Sequence, residues 1–111
     1  GRVDQQVKVD GRRVDLGEVE SAIRVAVGDA VVLAIPSSTG PGKILVACTL
    51  ATLQASLPQL RAACQARLPA FMAPVRHLEV DRWPRTGTGK ISRAALAHHA
   101  LRDRDGAPEA S

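Results

Sequence analysis

Two apolar runs close together in the chain limit its fold more than any other feature. Residues 30–35 read Ala-Val-Val-Leu-Ala-Ile and stop at Pro36. Residues 43–50 read Lys-Ile-Leu-Val-Ala-Cys-Thr-Leu. The first run is continuous and rich in β-branched side chains, which pack well on a pleated surface and lose freedom in a helix. The second places Ile44, Val46 and Cys48 on one side and Leu45, Ala47 and Thr49 on the other. Neither strand has a polar face to give to water, so helices are expected on both sides of the sheet. The turn cluster from Ser37 to Gly42 separates the two strands. A third strand is predicted over 75–80, where Leu78 and Val80 alternate with His77 and Glu79. Aromatics make up 2% of the chain against 45% apolar residues overall, so the core must be built from Val, Leu, Ile and Ala. A length of 111 residues bounds this at one domain.

Local signals place the remaining elements. Gln6-Val7-Lys8-Val9 alternates polar and apolar, Asp10-Gly11 is a strong hairpin signal, and Arg12-Arg13-Val14 is the returning strand. Asp15 can then cap a helix, with Glu18 three residues on in the manner of a capping box. That helix carries Leu16, Val19, Ala22, Ile23 and Ala26 as its apolar face, and Gly28 is expected to end it in a left-handed conformation. Ser56 with Gln59 starts a second helix, whose stripe is Leu57, Leu60, Cys64 and Leu68 and whose stop is Pro69. Residues 70–74 form a short connector. Ser92 caps a last helix with Ala95, Leu96 and Ala100 on its apolar side. The fold class is α/β (α+β): a small three-stranded sheet flanked by helices, with an N-terminal two-stranded β-ribbon. Residues 102–111 are polar with Gly and Pro and read as a flexible tail or linker after a domain at 1–101.

The net charge of +4 raises nucleic acid as a partner. The arginines are spread along the chain, and only Phe71 and Trp83 could stack on bases. A basic rim facing a nucleotide or another acidic partner accounts for the charge as well, and no nucleic acid is expected. Nothing approaches the length of a membrane span, and no signal peptide opens the chain. Cys48 and Cys64 lie in apolar segments at a spacing that fits no metal motif, so they read as buried thiols of a reducing cytoplasm. His98 and His99 are adjacent and point to different sides, a poor metal pair. No metal site is expected. His77 sits in a strand without an evident acidic or nucleophilic partner and is not expected to be catalytic.

One stretch carries chemistry. Pro84-Arg85-Thr86-Gly87-Thr88-Gly89-Lys90-Ile91-Ser92-Arg93 is a turn ending in a lysine, with a helix behind it. Gly87 and Gly89 let the backbone turn tightly and let another surface approach. Lys90 on such a turn suits a point charge delivered to a phosphate or carboxylate. A phosphate-binding P-loop is excluded. It needs Gly where Pro84 stands and Ser or Thr where Ile91 stands. A plain surface turn with a solvated lysine would also satisfy this stretch taken alone.

The opening residues add a second motif. Gly1-Arg2-Val3-Asp4, Gln6-Val7-Lys8, Gly11, Arg13 and Leu16-Gly17-Glu18-Val19-Glu20 resemble the eighth core motif of the adenylate-forming enzymes, and Pro84 to Arg93 resembles the tenth. That superfamily includes adenylation domains of nonribosomal peptide synthetases, acyl- and aryl-CoA synthetases and luciferases. Two motifs in the right order are far more specific than either alone. The resemblance runs from Gly1 to about Leu101 and covers the family's small C-terminal subdomain only.

The resemblance implies a mobile lid on an ATP-dependent enzyme. ATP, with Mg bound mainly by a large N-terminal subdomain, and a carboxylic or amino acid give an acyl-adenylate. A phosphopantetheine thiol on a carrier protein, or coenzyme A, then takes the acyl group. Lys90 is implied as the catalytic lysine of the first step and Asp4 as the hinge. Arg2 and Arg13 are implied as nucleotide contacts, Gly11 as part of the thiol tunnel, and Gly87 and Gly89 as the turn that presents the lysine. Asp10 departs from the arginine that many peptide-synthetase domains carry there, whereas Leu-Gly-Glu-Val-Glu leans toward peptide-synthetase or aryl-acid enzymes. The large domain's ATP loop and acid pocket are not in this sequence, so these residues alone are expected to be inactive. Rival readings are the lid of an acyl- or aryl-CoA ligase, and a free-standing subunit that docks on a separate large domain.

Overall fold

The computed structural model describes the backbone of residues 5–106 and the side chains of residues 5–102. Strands β1 (Gln6–Val9) and β2 (Arg12–Asp15) form the antiparallel ribbon, with Val7 opposite Val14 and Val9 opposite Arg12. Asp10 and Gly11 make the two-residue turn at φ 55° and 79°. Positive angles at both positions match the turn to the right-handed twist of the strands. A side chain at Gly11 would meet nothing within 4 Å, so glycine serves the dihedral there and not clearance.

Helix α1 (Leu16–Ala26) begins where the ribbon ends, and the Asp15 carboxylate accepts from the Gly17 N–H at 2.9 Å. Its buried face is Leu16, Val19, Glu20, Ala22 and Ile23. Ala26, expected on that face, is exposed, and the acidic Glu20 is buried instead. The N–H groups of Val27 and Gly28 both close on the Ile23 carbonyl, at 2.7 and 3.2 Å. Gly28 does end the helix, but at φ 156° and not at the left-handed helical angle that the sequence suggests. The chain there leaves at once for the sheet, and a Cβ on Gly28 would stand 2.8 Å from Leu53 Cδ1.

The main sheet has the order β3 (Val31–Pro36), β4 (Lys43–Leu50), β5 (Arg76–Val80). β3 and β4 are antiparallel, with Val32 opposite Ala47 and Pro36 opposite Lys43. β5 runs parallel to β4, with Val46 opposite Arg76. A parallel return needs a long crossover. It is made by α2 (Leu57–Gln65) and a turn of 3-10 helix at Ala70–Met72. α2 carries the full capping box: Ser56 Oγ accepts from the Gln59 N–H at 3.3 Å, and Gln59 Oε1 accepts from the Ser56 N–H at 2.8 Å.

The two-faced sheet has two cores, as its apolar faces require. On one side Val32, Leu45 and Ala47 meet α1, α2, Met72 and the ribbon valines Val9 and Val14. On the other, Val31, Leu33, Ile35, Val46, Cys48 and Leu78 meet Leu96 and Ala100, with Trp83 and Ile91 packed alongside. Leu96 and Ala100 belong to α3 (Arg93–Gly106), which starts behind Ser92, whose Oγ accepts from the Ala95 N–H at 3.1 Å. The helix continues past Leu101, where the sequence puts the end of the domain. Residues 107–111 lie outside the described residues.

Candidate functional site

The Lys90 turn is closed on itself by its own hydrogen bonds. The Thr86 N–H donates to the Lys90 carbonyl at 2.8 Å, the Gly89 N–H to the Thr86 carbonyl at 2.9 Å, and the Lys90 N–H to Thr86 Oγ1 at 3.3 Å. Arg85 Nη1 donates to the Gly89 carbonyl at 2.8 Å, and Arg85 pairs with Ile91 in a short antiparallel bridge. Below that bridge the Ser92 N–H donates to the Pro84 carbonyl at 2.7 Å. Gly89 sits at φ 90°, which requires glycine; Gly87 has no positive φ and open space around it. The fold of this chain therefore demands only the second glycine. Lys90 is exposed, and its ammonium has no hydrogen bond or ion pair among the described residues.

Where the turn joins the body, Arg93 makes contacts that the sequence reading does not anticipate. Its Nη2 donates to Glu20 Oε2 at 2.6 Å, and its Nη1 donates to the Val32 carbonyl at 3.0 Å. Glu20 Oε2 also accepts from the Val32 N–H at 2.8 Å. β3 is an edge strand, so both backbone groups of Val32 that face away from β4 would otherwise lack partners. The carboxylate and guanidinium satisfy one each and pair with each other, standing in for a missing strand. A signal for this was present in the sequence. Glu20 occupies the i+4 place in the Leu16, Val19, Ile23 stripe, where an acid must be buried and therefore paired. The ion pair borders a cleft of about 330 Å³, lined also by Arg24, Asp29, Trp83 and Ile91.

The hairpin motif lies elsewhere. Its tip is near the β3–β4 turn: a Cβ on Gly42 would stand 3.8 Å from Asp10 Oδ1. Arg12 lies over the Phe71 ring at 4.8 Å, a cation–π contact that ties the ribbon to the crossover. Arg13 is exposed, opposite Lys8. The ribbon packs against the first core, whereas Trp83 and Ile91 of the lysine turn pack against the second. Val32, which Arg93 grips, and Pro36, at the hairpin end of β3, are about 14 Å apart along an extended strand. Lys90 and Gly11 are thus on opposite faces and near opposite ends of the same sheet. Arg2 and Asp4 lie outside the described residues.

Three further titratable groups, Cys48, Cys64 and His77, are wholly or partly buried. Cys48 and Cys64 are both free and buried. Burial pushes the Cys48 thiol up to about 12; the Arg93 charge pulls it down by less, and Glu20 adds a smaller upward push. That removes it as a nucleophile. His77 Nε2 and Thr49 Oγ1 share a hydrogen bond of 2.7 Å, and burial holds the imidazole below its usual value against the opposing charge of Glu79. No helix among the described residues is long and apolar enough to cross a membrane.

Comparison with known proteins identifies this arrangement. Surfactin synthase subunit 1 of Bacillus subtilis (strain 168) is 39% identical over 98 residues, covering 86% of this chain. The structure of Klebsiella oxytoca NpsA in complex with 3-hydroxyanthranilyl-AMSN superposes with a TM-score of 0.76 at 25% identity, over 91% of this chain. In sequence and in fold the chain is similar to a segment of the adenylate-forming enzymes. A second such enzyme, the anthranilate CoA ligase AuaEII in complex with anthranoyl-AMP, matches 90% of this chain at 30% identity, with a TM-score of 0.71. The chain spans 3% of the surfactin synthase subunit and 20% of each of the two solved chains. No family model matches the sequence.

Proposed function

We propose that this subdomain is the lid of an ATP-dependent, AMP-forming ligase of peptide-synthetase type, and that it presents Lys90 for one half-reaction and the hairpin for the next. The observation that carries the reading is the placement of the two motifs on opposite faces of one sheet. A single substrate site cannot meet both faces at once. Presenting first one and then the other requires the whole subdomain to rotate, and a hinge at Asp4 would provide the dihedral change.

The chemistry assigned to Lys90 follows from its charge and setting. Attack of a carboxylate on the α-phosphate of ATP joins two anions and concentrates negative charge in the transition state. An ammonium with no partner among the described residues, carried on a self-closed turn, brings a compensating cation into the site as the lid shuts, and water leaves at the same step. Gly87, which neither its φ nor any neighbour among the described residues requires, leaves room for the opposing surface of the large subdomain. Arg13, exposed on the ribbon, is assigned as a contact to the nucleotide's ribose or phosphate in the second state, with Arg2 as a further contact. Gly11 keeps the hairpin tip narrow where a phosphopantetheine arm would pass. Mg is assigned to the large subdomain. The lid is assigned to residues 1–101, with the end of α3 carrying the chain on into the tail assigned to 102–111, and it is expected to be inactive without the large subdomain.

The test is Lys90→Ala in the complete enzyme. Carboxylate-dependent ATP–pyrophosphate exchange should fall by roughly 10²–10³-fold, the usual loss when one electrostatic donor is removed. Thiolation from a supplied adenylate should be largely kept. Equal loss in both half-reactions would refute the assignment. A carrier protein is the favoured acceptor because the peptide-synthetase relative is 39% identical, against 30% for the CoA ligase. Faster acyl transfer to coenzyme A than to a carrier protein would reverse that choice.

A further inference from the structure

We infer that Glu20 and Arg93 are positioning residues for Lys90, fixing the angle at which the lysine turn leaves the body of the lid. The inference rests on the role proposed for Lys90. The turn's internal bonds, from Thr86, Arg85 and Gly89, hold its shape but do not orient it relative to the sheet. Orientation is set at the base. There Trp83 and Ile91 rest on the second core, and Arg93, three residues beyond Lys90, reaches both the β3 edge and α1.

Apolar contact alone would leave the base free to slide, because dispersion has little directionality. The polar grip is directional. One carboxylate oxygen must accept from the Val32 N–H while one guanidinium nitrogen donates to the Val32 carbonyl, and the two groups must also meet each other. Together the three bonds restrict where Arg93 can sit. An exposed lysine swings on a flexible stem of its own, so its reach is defined only if the backbone beneath it is held. Productive geometry tolerates displacements of about 0.5 Å, and an error of about 1 Å can cost up to roughly 10²-fold in rate.

Arg93→Lys in the complete enzyme keeps the charge but replaces the two-nitrogen fork that holds the Val32 carbonyl and Glu20 with a single nitrogen on a flexible stem. Adenylation kcat should fall about tenfold or more, with KM for ATP nearly unchanged, while thiolation from a supplied adenylate keeps its rate. Arg93→Ala should lower adenylation further. In a Lys90→Ala background, either Arg93 change should produce no additional loss, because the residue whose position it controls is gone. Glu20→Gln, which preserves an acceptor oxygen and the side-chain shape, keeps the experiment informative if Arg93→Ala does not fold. It should show a smaller loss in adenylation alone.

The inference is overturned if Arg93→Lys leaves adenylation intact while Lys90→Ala abolishes it, an outcome that spares the role of Lys90. It is equally overturned if Arg93→Lys costs the same factor with and without Lys90, or slows both half-reactions alike, as a purely structural role would. If Lys90→Ala itself leaves adenylation intact, the proposed role of Lys90 fails first and this inference fails with it.

Discussion

Replacing Glu20 by alanine tests the edge pairing apart from any activity. The change removes the acceptor of the Val32 N–H and the partner of Arg93 in one step. A buried donor left without an acceptor costs about 1–3 kcal/mol. Breaking a fully buried ion pair costs about 3–5 kcal/mol. This pair falls short of that limit: the Glu20 side chain is 10% exposed but that of Arg93 is 38%, so water can take up much of the stranded guanidinium charge. Arg93 also keeps the Val32 carbonyl. The net expectation is a loss of about 2–3 kcal/mol, between the unsatisfied-donor and broken-pair limits. Urea unfolding followed by Trp83 fluorescence measures it directly, since Trp83 is the only tryptophan and lines the same cleft. The midpoint should fall by about 1 M or more with the slope unchanged. A loss below about 0.5 kcal/mol would mean that the pair behaves as an exposed surface bridge, and the edge argument would be wrong. The charge swap Glu20→Arg with Arg93→Glu should not restore stability, because it turns a cation toward an N–H and an anion toward a carbonyl. Restoration by the swap would show that charge alone matters.

The remaining expectations concern the turn and the imidazole. Gly89→Ala should destabilise the turn by about 1–2 kcal/mol, the cost of a positive φ for an L-residue, whereas Gly87→Ala should leave the melting curve of the chain unchanged; equal effects would contradict the dihedral assignment. His77 is held neutral by burial in the folded state, so its folded pKa lies below the 6.5 of the free group. Above that pH neither state carries the proton and His77 contributes no pH dependence. As pH falls below it, the unfolded chain takes up the proton first, so stability declines until the folded pKa is passed. His77→Gln should remove that share of the decline, and an unchanged acid limb of the stability–pH curve would rule it out.

Local chemistry was legible along the chain. The Asp10-Gly11 turn, the capping of the helices by Asp15, Ser56 and Ser92, and the alternation of β4 each depend on residues within a few positions of one another. Where a local reading failed, a distant neighbour was the cause. Gly28 takes φ 156° because Leu53 packs against it and the chain must enter β3. Ala26 is exposed because α1 rolls so that Glu20, and not Ala26, faces the β3 edge.

By itself the sequence determined the two-faced sheet, the ribbon, the three helices and the pair of motifs that mark the family. Apolar periodicity and turn residues act over one or two turns of chain, and that range suffices for these elements. Only the tertiary structure decided that β5 returns parallel to β4 and that Glu20 meets Arg93 across 73 positions. A periodic pattern says that a residue faces inward. Which residue it meets there depends on how whole elements pack, and a charge on an inward face is satisfied only by that packing.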